Sequence, residues 1–321
     1  MFLRYLAARL RHWDPSVVRY LNMGLGIENR ARTLAPFWAE HLNRTRTAQA
    51  RWAQRASGEW LTVLGAGRLL DFNRLALLPR FAKLRLVDAD PVCQALWKGV
   101  PKLYEAVCLD ITGCLDQWMR TLRGTGKPWQ QTLQIIRNQR APVEVAYSQQ
   151  GDALLSLNIL SQLQIVWQEA VEDYLERRFG KKLVERNEAE WLEALRPGGQ
   201  ALVVQHFAAV ERSKAAYVLL ITDLEYLEYQ GVVFQQEHWA PPPVEWTAAG
   251  GWKAEVDLVW QRSPALEGVE LTEETFARWL PSYRLVWQES WLWHIAPQGT
   301  ENTPYGTVHR VGAFALEAVL P

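Results

Sequence analysis

The chain of 321 residues has few cysteines, no excess of charge and no sequence repeat, and each shortage excludes something. Its three cysteines, Cys93, Cys108 and Cys114, form no CxxC pair, which argues against a disulfide framework and a cysteine zinc site. A reducing, cytoplasmic setting is the expectation that follows. Thirty-five basic residues balance thirty-five acidic ones, so no overall field draws the protein to nucleic acid or to anionic lipid. No self-similarity at a period of about 20–50 residues is present, which argues against a solenoid. The sequence carries no signal of oligomeric state.

The N-terminal stretch MFLRYLAARLRHWDP also lacks the unbroken apolar run of a signal peptide or a spanning helix. Leu3, Leu6, Ala7 and Leu10 follow helical spacing instead, so the stretch reads as an amphipathic helix, with a membrane-surface role as the alternative. Asp14 and Pro15 suit the N-cap and first turn of a second helix, and residues 1–57 read as a helical N-terminal cap.

Tryptophan, by contrast, is abundant. Eight of the 17 fall between positions 239 and 293. Core packing and codon bias explain that bias simply. An aromatic-walled pocket for a flat or cationic substrate is the functional alternative.

From residue 58 onward the pattern alternates. WLTVLGAG reads as a buried strand ending in glycines, DFNRLALLPRFAK as a helix and LRLVDADP as a second strand. VCQALWKGVPKLYEA is helix-like, VCLDITG a third strand and GDALLSLNILSQL a fourth. A charged helix then precedes RPGGQALVVQHF, read as the fifth strand. ERSKAAYVLLITDLEYLEYQG reads as a helix, although the β-branched residues of 217–222 pull toward a strand. An insertion is expected around 231–270, and KAEVDLVWQ, YRLVWQESWLWHIAP and HRVGAFALEAVL are late strand candidates. The expected fold is α/β: a mostly parallel, seven-stranded Rossmann-like sheet over 58–321, with helices on both faces and an antiparallel C-terminal edge.

In open α/β sheets, ligands bind beyond the carboxyl ends of the strands. That rule selects Gly65, Ala66 and Gly67 after the first strand, Asp88 and Asp90 after the second, Asp110 after the third, Asn158 after the fourth and His206 at the end of the fifth. Asp88 lies 21 residues beyond Gly67, a separation suited to a carboxylate that accepts ribose hydroxyls. A helix N-cap is the structural alternative there, and Asp90 fits it better. Asp110 suits either an adenine amino group or a local cap.

The order of these parts, together with Leu195-Arg196-Pro197-Gly198-Gly199, resembles the class I S-adenosylmethionine-dependent methyltransferases over residues 58–207. The resemblance implies S-adenosylmethionine as cofactor, held by Gly65, Ala66, Gly67, Asp88, Asp110 and Asn158, with Asn158 and His206 toward the acceptor. Arg30, Arg32, Trp38 and His41 are candidates for a lid, and Asp223, Tyr226, Trp291, Trp293, His294, Tyr305 and His309 for the acceptor pocket. Zero net charge favours a small-molecule acceptor. No metal-ligand spacing is present.

Two residues depart from the family pattern. Val63 stands where an acid is usual, and Leu69 where a third GxGxG glycine would fall. Asp71 could restore the carboxylate or cap the next helix. Leu70 fills the third position of GxGxxG and argues against a dinucleotide, whose pyrophosphate needs close approach there. A non-catalytic binding or scaffold protein with this fold is the alternative function, and a nicotinamide-dependent enzyme a third.

Overall fold

Alternating apolar residues along the central strands feed two cores, one on each face of a single sheet. Leu61, Val63, Leu155, Leu219 and Ile221 enter one core, while Leu64, Leu154, Val218 and Leu220 enter the other. Period-two alternation of this kind requires cover on both sides. The computed structural model describes residues 15–124, 126–141, 151–229, 260–300 and 305–319.

The described elements begin with helices α1 (Pro15–Thr33) and α2 (Ala35–Ala53), which precede strand β1 (Gly58–Leu64). Then come α3 (Arg74–Leu77), β2 (Phe81–Asp88), α4 (Pro91–Trp97), β3 (Leu103–Cys108), α5 (Leu115–Arg123), α6 (Trp129–Arg137) and β4 (Ala153–Leu157). Helices α7 (Ile165–Phe179), α8 (Lys181–Arg186) and α9 (Glu188–Ser213) lead to β5 (Tyr217–Tyr229). The two-residue β6 (Gln261–Arg262), α10 (Glu273–Trp279), β7 (Tyr283–Ala296) and β8 (Gly306–Ala318) complete them.

The sheet order is β3-β2-β1-β4-β5-β8-β7, with β6 paired on β5. Strands β1 to β5 pair in parallel, and β8 runs antiparallel to both β5 and β7. This is the expected doubly wound sheet with an antiparallel edge. Helices α5 to α10 contribute to one core, and α2, α3 and α4 to the other. Helix α1 packs Tyr20 and Met23 on the first core and Ile27 and Ala31 on the second, so it crosses the end of the sheet.

Three expectations are corrected. RPGGQALVVQHF is not a strand, because α9 runs unbroken from Glu188 to Ser213 with Pro197 inside it. An interior proline costs a helix about 3 kcal/mol. The buried Leu195, Leu202, Val203 and Phe207 offset it at about 1.5–3 kcal/mol each. The glycines serve contact and not a turn: a Cβ on Gly199 would fall 1.7 Å from Gln164 Oε1, and Gly198 faces Trp118 and Trp167, which a Cβ there would touch at 3.5–3.6 Å.

The fifth strand is instead the segment first read as a helix, β5, whose β-branched start pairs with β4. The second half of VCQALWKGVPKLYEA likewise begins β3. The N-terminal amphipathic stretch, Asp14 and most of the 231–270 insertion lie outside the described residues. Of KAEVDLVWQ, only Trp260 and Gln261 are described. Among the described residues, no helix is long and apolar enough to cross a membrane.

Candidate functional site

Strand order reverses between β1 and β4, and a cavity of about 340 Å³ opens at their carboxyl ends. That volume falls within the range of small-molecule sites, roughly 300–1,000 Å³. Gly65, Ala66, Gly67, Asp88, Asp110 and Asn158 all line it.

The loop after β1 is shaped by left-handed backbone at Gly65, Gly67 and Leu69, with φ of 69°, 46° and 57°. A Cβ on Gly65 would lie 2.5 Å from the Leu157 carbonyl oxygen, so the loop can hug the end of β4 only with glycine there. Leu69 keeps the conformation of the missing third glycine and buries its side chain in exchange for the strain. The loop is tied down by Ala66 N–H to the Val87 carbonyl at 3.1 Å, and by Trp97 Nε1–H to the Gly67 carbonyl at 2.9 Å.

Asp88 accepts the Gly67 N–H at 2.8 Å on one oxygen and the Asp90 N–H at 2.8 Å on the other. Burial raises its carboxyl above the usual range against those bonds. Asp90 caps α4 through the Val92 N–H at 2.9 Å, as expected. Arg68 then joins this floor to the roof: its guanidinium reaches Asp90 at 3.1 Å, Glu28 at 2.8 Å and the Gly24 carbonyl at 3.0 Å. Helix α1 lies so close here that a Cβ on Gly24 would fall 2.1 Å from Asp90 Oδ2.

Val63 is buried in the core and offers no carboxylate. Asp71 lines the cavity in its stead, and its Oδ2 accepts from Asn158 Nδ2 at 3.2 Å. Enough protein surrounds Asp71 to push its carboxyl up to about 6. Gln49 holds the Asp71 carbonyl at 2.8 Å and so fixes the turn. Asn158 takes a left-handed φ of 49°, donates its N–H to the Ile221 carbonyl at 2.7 Å, and keeps a buried, unpartnered Oδ1. Asp110 is engaged by its own turn, accepting from the Thr112 N–H at 2.9 Å and from the Thr112 hydroxyl. The Tyr20 hydroxyl of α1 also donates to it.

The far wall comes from both ends of the chain. Trp38 and His41 on α2 meet Trp293 on β7, with His41 stacked on Trp293 at 4.0 Å and Trp38 edge-on at 5.0 Å. Trp291 Nε1–H donates to His41 Nδ1 at 3.1 Å, and burial lowers the His41 pKa to about 3. Asp223 on β5 and His309 on β8 complete this wall, with Oδ2 and Nδ1 3.3 Å apart. The register of β5 against β8 shifts between Asp223 and Glu225, a bulge of the kind that re-aims side chains near sites.

Of the expected site residues, His206 is misplaced. It lies on the buried face of α9 and not at a strand end, and its Nε2 sits 3.1 Å from Ser156 Oγ in β4. Burial lowers its pKa to about 4, and it does not line the cavity. Among the lid candidates, Arg30, Trp38 and His41 line the cavity, while Arg32 bonds Asn29 on the surface. Tyr226 bonds Gln261, His294 bonds Tyr229, and Tyr305 is exposed; none lines the cavity. The roof residues Tyr20 and Met23 and the Arg68 bridge carry no motif by which the sequence could announce them.

No family model matches the chain, and no curated protein matches its sequence. Among solved structures it is similar to a Pyrococcus horikoshii protein provisionally described as an RNA methyltransferase. That likeness has 9% identity over 87% of this chain and 84% of the other, with a TM-score of 0.34. It is also similar to a Haloferax volcanii protein, provisionally described as a methyltransferase, in complex with its Trm112 activator. There the identity is 11% over 94% and 98% of the two chains, with a TM-score of 0.35. A SAM-dependent methyltransferase of Anabaena variabilis is similar at 10% identity over 89% and 95%, with a TM-score of 0.31. The strand order and the loop, and not these likenesses, identify the sheet as Rossmann-like, with an antiparallel edge.

Proposed function

We propose that the chain is an S-adenosylmethionine-dependent methyltransferase acting on a small molecule. The observation that carries this reading is the exit of the glycine loop. A dinucleotide needs a helix N-terminus beneath its pyrophosphate. Here Gly67 leads into turns, and the next helix is the four-residue α3, beginning at Arg74. Arg68, the loop's own cation, is already held by Glu28 and Asp90.

The donor set suits a cationic nucleoside instead. Asp88 would accept the ribose hydroxyls, as the sequence spacing suggests. Asp71 and the unpartnered Asn158 Oδ1 would hold the methionine ammonium, in place of the acid missing at Val63. Asp110 would meet the adenine edge, sharing that role with Tyr20. When bound, S-adenosylmethionine supplies a methyl carbon made electrophilic by its sulfonium. The chain's part is to orient the acceptor in line and to exclude water, which α1 favours by roofing the cavity. Three unpaired cysteines agree with a reducing, cytoplasmic location.

Calorimetry with S-adenosylmethionine and S-adenosylhomocysteine tests the reading. Binding of both, lost in Asp88→Ala, is expected; no binding of either at millimolar concentration would refute it. Methyl transfer to any small molecule would exclude the alternative of a non-catalytic scaffold.

A further inference from the structure

Among the described residues, four buried polar atoms on the cavity lining have no hydrogen-bond partner: Asp223 Oδ1, Trp293 Nε1, Asn158 Oδ1 and His309 Nδ1. Asp223, Trp293 and Asn158 are 5%, 7% and 9% exposed, so water does not readily satisfy them. An unsatisfied buried donor or acceptor costs about 1–3 kcal/mol, and a ligand with matching groups recovers that. Asn158 is assigned to the cofactor above. His309 Nδ1 faces Asp223 Oδ2 at 3.3 Å, which leaves Asp223 Oδ1 and Trp293 Nε1, one acceptor and one donor, open to a ligand.

The wall's charge narrows the match further. Among the described residues, the cavity is lined by Asp71, Asp88, Asp90, Asp110, Glu169 and Asp223, and by only two strongly basic residues, Arg30 and Arg68. Arg68 is engaged with Glu28 and Asp90, and Arg30 belongs to the roof helix. An anionic acceptor would meet a surplus of like charge in a poorly hydrated space, where repulsion is strong. The rings of Trp38, His41 and Trp293 favour a flat apolar body.

We infer that the methyl acceptor is an uncharged aromatic molecule carrying an O–H or ring N–H beside a carbonyl or ring-nitrogen acceptor, and that Asp223 is its catalytic base. This rests on the methyltransferase reading of the same cavity. The acceptor's O–H or N–H donates to Asp223 Oδ1, and its neighbouring acceptor atom receives Trp293 Nε1–H. The Ser161 hydroxyl donates to Asp223 Oδ2 at 3.3 Å, and His309 Nδ1 lies 3.3 Å from the same oxygen without a hydrogen bond, so Oδ1 is left for the ligand. In the reaction, the acceptor oxygen or nitrogen bonds the methyl carbon. The carbon–sulfur bond breaks with its electron pair left on sulfur, and the displaced proton passes to Asp223 Oδ1. Loss of a general base of this kind lowers rates by about 10²–10⁴-fold.

The test is calorimetry on the full chain with S-adenosylhomocysteine present, using 2-hydroxyquinoline, whose ring N–H stands beside its carbonyl, and its 4-carboxylate as a matched neutral and anionic pair. The neutral probe is expected to bind, and the carboxylate to bind at least ~10-fold more weakly. Asp223→Asn should weaken the neutral probe at least ~10-fold and narrow the discrimination, with S-adenosylhomocysteine affinity changed less than ~3-fold. Trp293→Phe keeps a ring and removes only the donor, so ~3–10-fold loss for the neutral probe is expected even if Asp223→Asn folds poorly. Equal binding of the two probes, binding of neither, or wild-type affinity in both variants would overturn the inference. Failure of S-adenosylhomocysteine to bind refutes the cofactor reading instead; titration of the neutral probe into the protein alone then decides this one.

Discussion

The Asn158 side-chain nitrogen lies 3.2 Å from an Asp71 carboxylate oxygen, joining the turn after β1 to the end of β4 across the point where strand order reverses. The contact puts a carboxylate at the mouth of the glycine loop although Val63, eight residues earlier, is buried in the core.

Asp71 should make cofactor affinity pH-dependent. Its carboxyl sits at about 6, against 3.8 when unperturbed. Between those values the native state binds more protons there than the unfolded chain, so this residue's contribution to stability falls as pH rises through the window. A cationic ligand rewards the ionised form. S-adenosylmethionine affinity is therefore expected to rise from pH 5 to 7 in the wild type, and to be flatter and at least ~10-fold weaker at pH 7 in Asp71→Asn. The same variant should melt higher without ligand at pH 7.5, by about 2–4 °C for each kcal/mol recovered. Asp90 also sits at about 6, but it is present in both proteins, so the comparison isolates Asp71. An unchanged pH profile in Asp71→Asn would rule out the assignment.

Leu69 gives a test of stored backbone strain. Its φ of 57° is left-handed and its side chain is buried. Both Leu69→Ala and Leu69→Gly lose packing, about 2–5 kcal/mol for a buried leucine cut to alanine. Glycine alone also relieves the backbone, so Leu69→Gly should be more stable than Leu69→Ala by about 1 kcal/mol in urea unfolding. The reverse order would mean that the turn is not left-handed.

At Gly199 the expected sign depends on a neighbour. Alanine would gain about 1 kcal/mol of helix propensity but would strike Gln164 Oε1, 1.7 Å from its Cβ. Gly199→Ala is expected to destabilise by about 1–3 kcal/mol alone, and to become neutral or stabilising in a Gln164→Ala background. Additive effects in that cycle would contradict the close packing.

His206 should matter to acid stability and not to cofactor binding. Its pKa is about 4 when folded and 6.5 when unperturbed, so the unfolded chain binds the extra proton between those values. Its contribution is present above pH 6.5 and is lost as pH falls to 4. His206→Gln should flatten the acid limb by up to about 1.4 kcal/mol per pH unit while leaving S-adenosylmethionine affinity within about twofold. A large loss of affinity would return His206 to the site.

Much of the glycine-loop side of the cavity was legible because its signals are local. A short apolar run and two glycines suffice for β1 and its loop, and Asp90-Pro91 announces the α4 cap. The fifth strand was not legible for the opposite reason. Pro197, Gly198 and Gly199 carry every local mark of a helix stop, yet the helix continues because Trp118, Trp167 and Gln164 are packed against those glycines from elsewhere in the chain. Read as β5, that helix puts His206 at a strand end, whereas the true β5 carries Asp223 to the cavity. Leu69 is a milder case: its identity says the turn is broken, and its φ shows that packing enforces it.

The sheet order also fixes what a lesion late in the chain would do. Strand β8 follows β7 in sequence but lies between β5 and β7, so among the described strands β8 is the one to which β7 is hydrogen-bonded, and helix α2 packs on β7 from the side. Trp293 and Trp291, on β7, and His309, on β8, therefore stand or fall together. Damage to β8 would not trim an outer edge; it would disturb one side of the cavity while leaving the glycine loop, built on β1, β2 and β4, on its own foundation.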